Sequence, residues 1–113
     1  MRINKELVKG STGFLILTLL ERQPAYGYQI IKVIERDSDG VFTFKEGTLY
    51  PILHALEADG MVESYWAEGE GARRRKYYRL TDAGRLHLRE KQAEWRVFRS
   101  AVDQVIGEAI VWS

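Results

Sequence analysis

The amino-acid sequence predicts a mainly α fold in which a two-stranded hairpin interrupts a series of helices. Three observations carry that expectation. Apolar residues recur at helical spacing in three segments that close at Pro24, at Ser38-Asp39-Gly40 and at Gly60. Between Met61 and Leu80 the period changes to alternation around a glycine-bearing turn. Beyond Thr81 a helical pattern resumes and runs to the end of the 113-residue chain, a length that suits one hydrophobic core.

The first helix is expected over Lys5 to Arg22, apolar on most of its faces and therefore central to the packing. Gly10 and Gly13 weaken it in isolation and are expected to admit a close neighbour. A second helix is expected over about Gly27 to Asp37, with a stripe of Tyr28, Ile31 and Ile34 widened by Ile30 and Val33. The apolar link Val41-Phe42-Thr43-Phe44 leads to a third helix over about Gly47 to Asp59, starting no earlier than Glu46. Pro51 is expected close to its first turn, where a missing N–H costs least. Its inward stripe is Leu49, Ile52, Leu53 and Leu56, and Gly60 caps its end. Strands are expected over Met61 to Ala67 and Arg74 to Leu80, and Thr81 is the expected N-cap of the last helix, with Asp82 in the first turn.

Three helices followed by a hairpin is the layout of a winged helix-turn-helix domain. It divides the chain into a winged-helix unit over 1–80 and a long C-terminal dimerisation helix over 81–113, packed as part of the same unit. In such a module the helix that reads the major groove is the second of the motif, here the third of the chain. With its stripe turned inward, Thr48, Tyr50 and His54 face outward beside Lys45, as donors to phosphate or base edges. Small Ala55 and Ala58 permit close approach.

The hairpin carries a stronger electrostatic signal. Arg73-Arg74-Arg75-Lys76 follow its tip, and Arg79 comes three residues later. Four like charges in a row destabilise a hairpin unless an anion lies nearby, and duplex phosphates meet that need. Alternation puts Arg74 and Lys76 on one face and Arg73 and Arg75 on the other. The net charge of +1 hides this sorting: five of the 17 basic residues lie within 73–79, leaving 12 against 16 acidic residues elsewhere.

In the last helix, Trp95, Phe98, Val102, Val105, Ala109 and Trp112 step by three and four, the spacing of a helix–helix seam. Val97, Ala101, Ile106 and Ile110 broaden it beyond what one small domain can cover. A second copy of the chain, with Leu7 and the first helix also at the interface, is the economical partner. A two-fold dimer would present two recognition helices to successive major grooves, roughly 34 Å apart.

Other classes fit poorly. With no cysteine there is no disulfide framework, thiolate metal site or cysteine nucleophile, and a reducing compartment is expected. The longest apolar stretch, Phe14 to Leu20, is too short to cross a membrane, and the opening residues lack signal-peptide features, so a cytoplasmic location is expected. The two histidines, His54 and His87, form no ligand motif, and no phosphate loop is present. Neither catalysis, a metal nor a cofactor is predicted. The competing reading is a winged-helix protein-interaction module without DNA binding, which Ala55 and the low net charge favour and the Arg73–Lys76 run opposes.

Four motifs in order give the sequence a resemblance to a known family. Tyr26-Gly27-Tyr28-Gln29-Ile30, then Gly47-Thr48-Leu49-Tyr50-Pro51, then Leu56-Glu57 with Gly60, then Arg74-Arg75-Lys76-Tyr77-Tyr78-Arg79-Leu80-Thr81 with Gly84 resemble the PadR transcriptional regulators. The resemblance runs from about Leu7 to the end of the chain, and the single last helix is similar to the short subgroup. It implies a homodimeric repressor of an inverted-repeat operator in double-stranded DNA. Drug-sensing members further imply a flat aromatic effector held at the dimer seam by Trp95, with Phe98 and Val102 as the wall. A neutral or anionic aromatic is expected, because the residue one turn after Trp95 is Arg99, unless Glu94 or Glu90 turns inward. Ala55 departs from the pattern, since relatives often carry a basic residue there. That shifts base reading toward His54 and the wing.

Overall fold

A computed structural model describes the backbone of residues 5–68, 71 and 73–112, and the side chains of residues 10–68, 71 and 73–107. The order is α1 (Lys5–Arg22), β1 (Ala25–Tyr26), α2 (Gly27–Asp37), α3 (Glu46–Ala58), β2 (Val62–Glu68), β3 (Arg74–Leu80) and α4 (Asp82–Trp112). This is the winged-helix arrangement with a long last helix. The hairpin β2–β3 is antiparallel, pairing Val62 with Leu80 and Glu68 with Arg74.

A third, two-residue strand, not foreseen from sequence, extends the sheet to the order β1-β3-β2. Pro24 ends α1, and the next two residues pair with β3 before α2 begins, Ala25 opposite Tyr78 and Tyr26 opposite Tyr77. Two residues are too few to show an alternating pattern, so only their distant partner reveals them.

Both helices of the helix-turn-helix end in Schellman motifs. At the end of α3, Met61 N–H donates to the Leu56 carbonyl and Gly60 N–H to that of Glu57, with Gly60 at φ +75. At the end of α2 the same pair of bonds runs from Gly40 to Glu35 and from Asp39 to Arg36. Thr81 caps α4: its hydroxyl accepts from Gly84 N–H at 3.0 Å and donates to the Gly60 carbonyl. One threonine thus starts α4 and fastens it to the end of α3.

The core takes Ile16, Leu17 and Leu20 from α1, Ile30 and Ile34 from α2, Leu49 and Leu53 from α3, Tyr78 and Leu80 from β3, and Leu88 from α4. Three local expectations are corrected. Tyr28 lies outside the α2 stripe and is exposed, because Gly27, Ile30, Ile31 and Ile34 form the buried face. Pro51 is the sixth residue of α3 and not in its first turn. The carbonyl it leaves unpaired belongs to Gly47, which is exposed and open to water. Gly10 and Gly13 admit no tight neighbour: a Cβ on either would meet nothing within 4 Å. Leu88 is wholly buried, but Trp95, Val97, Phe98, Val105 and Ile106 of α4 are exposed.

Candidate nucleic-acid interface and adjoining cleft

Helix α3 is seated by its inner side. Leu49 and Leu53 are wholly buried, which turns Thr48, Pro51, His54, Ala55 and Ala58 outward. Lys45 is the exposed N-cap, and its carbonyl accepts from the Thr48 and Leu49 N–H groups at 3.0 Å. Lys45 and Thr48 therefore sit together at the positive end of the helix, where anions are favoured. Tyr50 is half-buried beside His54, with ring centroids 6.2 Å apart. Its hydroxyl lies over Gly27, where a Cβ would overlap it. The ring thus locks α3 against the start of α2, and only part of it is available to a partner.

Two further contacts hold the wing to α3. The Ser64 hydroxyl donates to the Glu57 carboxylate, joining β2 to α3. The Tyr78 phenol is buried close to Glu57 and Tyr50, and that burial pushes its pKa above the ordinary value. The hairpin is therefore fastened to α3.

The wing cations divide. Arg73 and Arg74 are exposed, Arg74 opposite Glu68. Arg75 stacks on Tyr26 at 4.5 Å, its Nε enclosed, and Lys76 lies 5.7 Å over Tyr78. Arg79 stacks on Tyr65 at 4.8 Å and pairs with Glu63 at 2.7 Å. Tyr26, Tyr77 and Tyr65 lie side by side across the outer face of the three strands, with centroid separations of 5.4 and 5.8 Å. The hairpin's own tyrosines thus relieve part of the charge crowding that the sequence attributes to an absent anion. The sequence signal for this was the Arg75-Tyr77-Arg79 alternation, which reads as charge until the facing tyrosines are placed. Arg74 and Lys76 share one face, as alternation predicts. Arg73 precedes the strand, so no sheet face is fixed for it.

Beside α3 a cleft of about 480 Å³ opens between α1 and α4. Gly10 and Gly13 form its α1 side, Leu17 and Leu56 also line it, and His87, Lys91, Glu94, Trp95 and Phe98 supply the α4 side. Trp95 stacks on Phe98 at 5.9 Å and meets Phe14 at 6.3 Å. Lys91 and Glu94 face each other at 3.6 Å, so this part of the rim carries no net charge. Val102 is half-buried and does not line the cleft. Val105 and Ile106 are exposed farther along α4. The side chains of Leu7, Ala109 and Trp112, expected at the dimer interface, lie outside the described residues.

Residues 16–90 match the model of the transcriptional regulator PadR-like family. The chain belongs to the PadR-like family. A PadR family transcriptional regulator from Eggerthella lenta is 39% identical, with a TM-score of 0.77 over 89% of this chain and 86% of that one. A transcriptional regulator from Clostridium thermocellum is 33% identical, with a TM-score of 0.81 over 90% of this chain and 96% of that one. The transcriptional regulator YqjI of Escherichia coli is 28% identical over 102 residues, 89% of this chain and 47% of its own length. This chain thus spans about half of that relative.

PadR membership makes this chain a transcriptional regulator and not an enzyme, and DNA is the partner the family implies. The structure also gives reasons for the glycines of the PadR-like motifs. Gly27 leaves room for the Tyr50 ring, and a Cβ on Gly84 would collide with the Met61 carbonyl. Sequence reasoning missed the α1 side of the cleft, although two glycines three residues apart in an otherwise apolar helix were a usable signal. Among the described residues, no helix is long and apolar enough to cross a membrane.

Proposed function

We propose that this PadR-like chain is a homodimeric repressor that occupies an inverted-repeat operator and is released by a small aromatic effector. In this reading residues 1–80 bind DNA, residues 81–113 dimerise, and the protein acts in the cytoplasm, with the DNA. The observation that carries it is the state of the wing. Among the described residues Arg73, Arg74 and Lys76 make no ion pair, although Arg79 of the same strand and five arginines and lysines outside the wing do. Cations without a carboxylate partner, on a hairpin fastened to α3, suit a duplex backbone. Lys45, Thr48 and His54 complete the contact along α3, Tyr50 contributes its exposed edge, and Arg75 acts mainly by shaping the wing.

Phe98, Val105 and Ile106 support dimerisation, because a second copy is the economical cover for an apolar line on a helix that outruns its own domain. Leu7, Trp95, Val102, Ala109 and Trp112 extend the same seam. The effector reading rests on the cleft, where Trp95 and Phe98 present aromatic faces and Val102 would close the far end within a dimer. Leu56 belongs to the recognition helix and lines the same cleft, so an occupant would touch α3 directly. An effector acts by favouring subunit positions that mismatch the two grooves, and its differential affinity for the two states limits the effect.

Duplex binding measured against salt tests the central claim. Neutralising Z phosphates gives a log–log slope of about −0.9Z, and Arg74→Ala and Lys76→Ala should each flatten it. No duplex binding at low salt would leave the chain as a protein-interaction module. Saturating effector that binds near Trp95 without changing operator affinity would remove the release mechanism and leave DNA binding standing.

A further inference from the structure

The strand that carries Glu63 and Tyr65 on one side of the wing carries Ser64 and Trp66 on the other. That second side begins inside the protein. Val62, Tyr78 and Leu80 are buried on it, and Ser64 bonds to Glu57 of α3. One step farther toward the tip come Trp66 and its cross-strand partner Lys76, then Glu68 and Arg74. Here the chain's own cover ends, and Trp66 is 60% exposed.

The two neighbouring aromatics are treated differently. Tyr65 is stacked on Tyr77 and covered by Arg79. Trp66 makes no ring or cation contact among the described residues, because Lys76 folds back over Tyr78 and not over the indole. An uncovered indole therefore stands where the α3-facing side of the wing emerges, next to Lys76 and near the exposed Arg74.

We infer that Trp66 is a DNA-contacting residue of the wing, its indole lying against deoxyribose and its N–H donating to a phosphate oxygen, while Arg74 and Lys76 supply the charge from the neighbouring strand. This rests on the DNA-binding reading above. An indole suits the place because it offers a large rigid apolar face and one donor, so it adds contact area without neutralising a phosphate. The cations set how strongly a duplex is drawn to the wing, and Trp66 sets how closely the wing settles on it.

The contrast in charge supplies the test. A fluorescein-labelled duplex of mixed sequence is titrated with the full chain and with Trp66→Ala, Trp66→Phe and Arg74→Ala across a salt series. Trp66→Ala should weaken binding about tenfold at every salt concentration and leave the slope unchanged. Trp66→Phe should recover most of the loss, and Arg74→Ala should lower the slope. In protein containing 5-fluorotryptophan, the resonance that disappears in Trp66→Phe should move on duplex addition.

If Trp66→Ala binds like the parent while Arg74→Ala does not, the indole has no part and the proposal is overturned with DNA binding intact. If Trp66→Ala changes the slope, the residue acts through the cations and the proposal is overturned. If the parent chain itself binds no duplex, the DNA-binding reading fails, and the indole contact with it. Unchanged thermal unfolding of Trp66→Ala, together with the fluorine shift, separates a lost contact from a damaged wing.

Discussion

The winged-helix head, residues 10–90, and the distal part of α4, residues 95–107, treat apolar side chains in opposite ways. In the head Ile16, Leu49, Leu53 and Leu88 have no exposed surface, whereas Phe98 is 58% and Val105 82% exposed on α4. The head encloses what its short helices and small sheet can reach. Helix α4 has 31 residues, a length of about 46 Å at helical rise, and it outruns that enclosure. The two regions are separable: intramolecular packing sets the stability of the head, and in the proposed dimer a second copy would cover the distal apolar line.

The largest way to break the comparison is inside the head. Leu53→Ala would empty a wholly buried site at a cost of about 4 kcal/mol. It should lower the urea midpoint at fixed protein concentration. Gly84→Val tests the same region by overpacking, since its Cβ meets the Met61 carbonyl, and should cost about 3 kcal/mol. A midpoint equal to the parent's in either variant would mean that the head is not the rigid unit described.

The next effect belongs to the tail. Val105→Lys places an ammonium on the proposed seam and should raise the dimer dissociation constant roughly a hundredfold, under 3 kcal/mol. Sedimentation would read that change, and helix content should stay as in the parent. An unaltered dimer would move the seam elsewhere.

The third is sharper and smaller. Gly13→Leu projects a side chain into open cleft space while improving helix propensity by roughly 0.5–1 kcal/mol. Stability should hold or rise, and the fluorescence of an aromatic probe such as anilinonaphthalene sulfonate in the cleft should fall. Retained probe binding would place the aromatic site outside this cleft.

The smallest effect lies on the surface of the head. Arg22 and Arg36 hydrogen-bond the Asp37 carboxylate and hold its pKa below the ordinary value. Because the folded pKa is the lower one, this tie between α1 and α2 is complete above the unfolded pKa. It is lost as pH falls through the folded pKa. Asp37→Asn should remove that acid-side decline from a pH series of unfolding midpoints and change little near neutrality. An identical acid limb in the variant would show that the pair contributes nothing.

The legible parts of this protein were those governed by neighbours in sequence. The end of α1 at Arg22, the limits of α2, the Gly60 cap and the Thr81 cap follow from local backbone rules, and each is present. Tyr28 misled because α2 alone does not say which of two adjoining stripes faces inward. Gly27 beneath Tyr50 settles that. The wing cations were legible as a group but not as individuals, since the roles of Arg75 and Arg79 depend on tyrosines brought across the sheet by β1 and β2.

By itself, the sequence determined the order of elements, the sorting of charge onto the wing and the excess of apolar residues on the last helix. Each is a matter of periodicity or composition, which a chain carries whether folded or not. Only the tertiary structure decided which wing cations meet tyrosines or a carboxylate, that two glycines of α1 line a cleft reaching α3, and that the indole of Trp66 lies beyond its own chain's cover. Those outcomes depend on which faces meet across the fold, and pairs such as Tyr26 with Arg75 lie too far apart in sequence for any local pattern to record them.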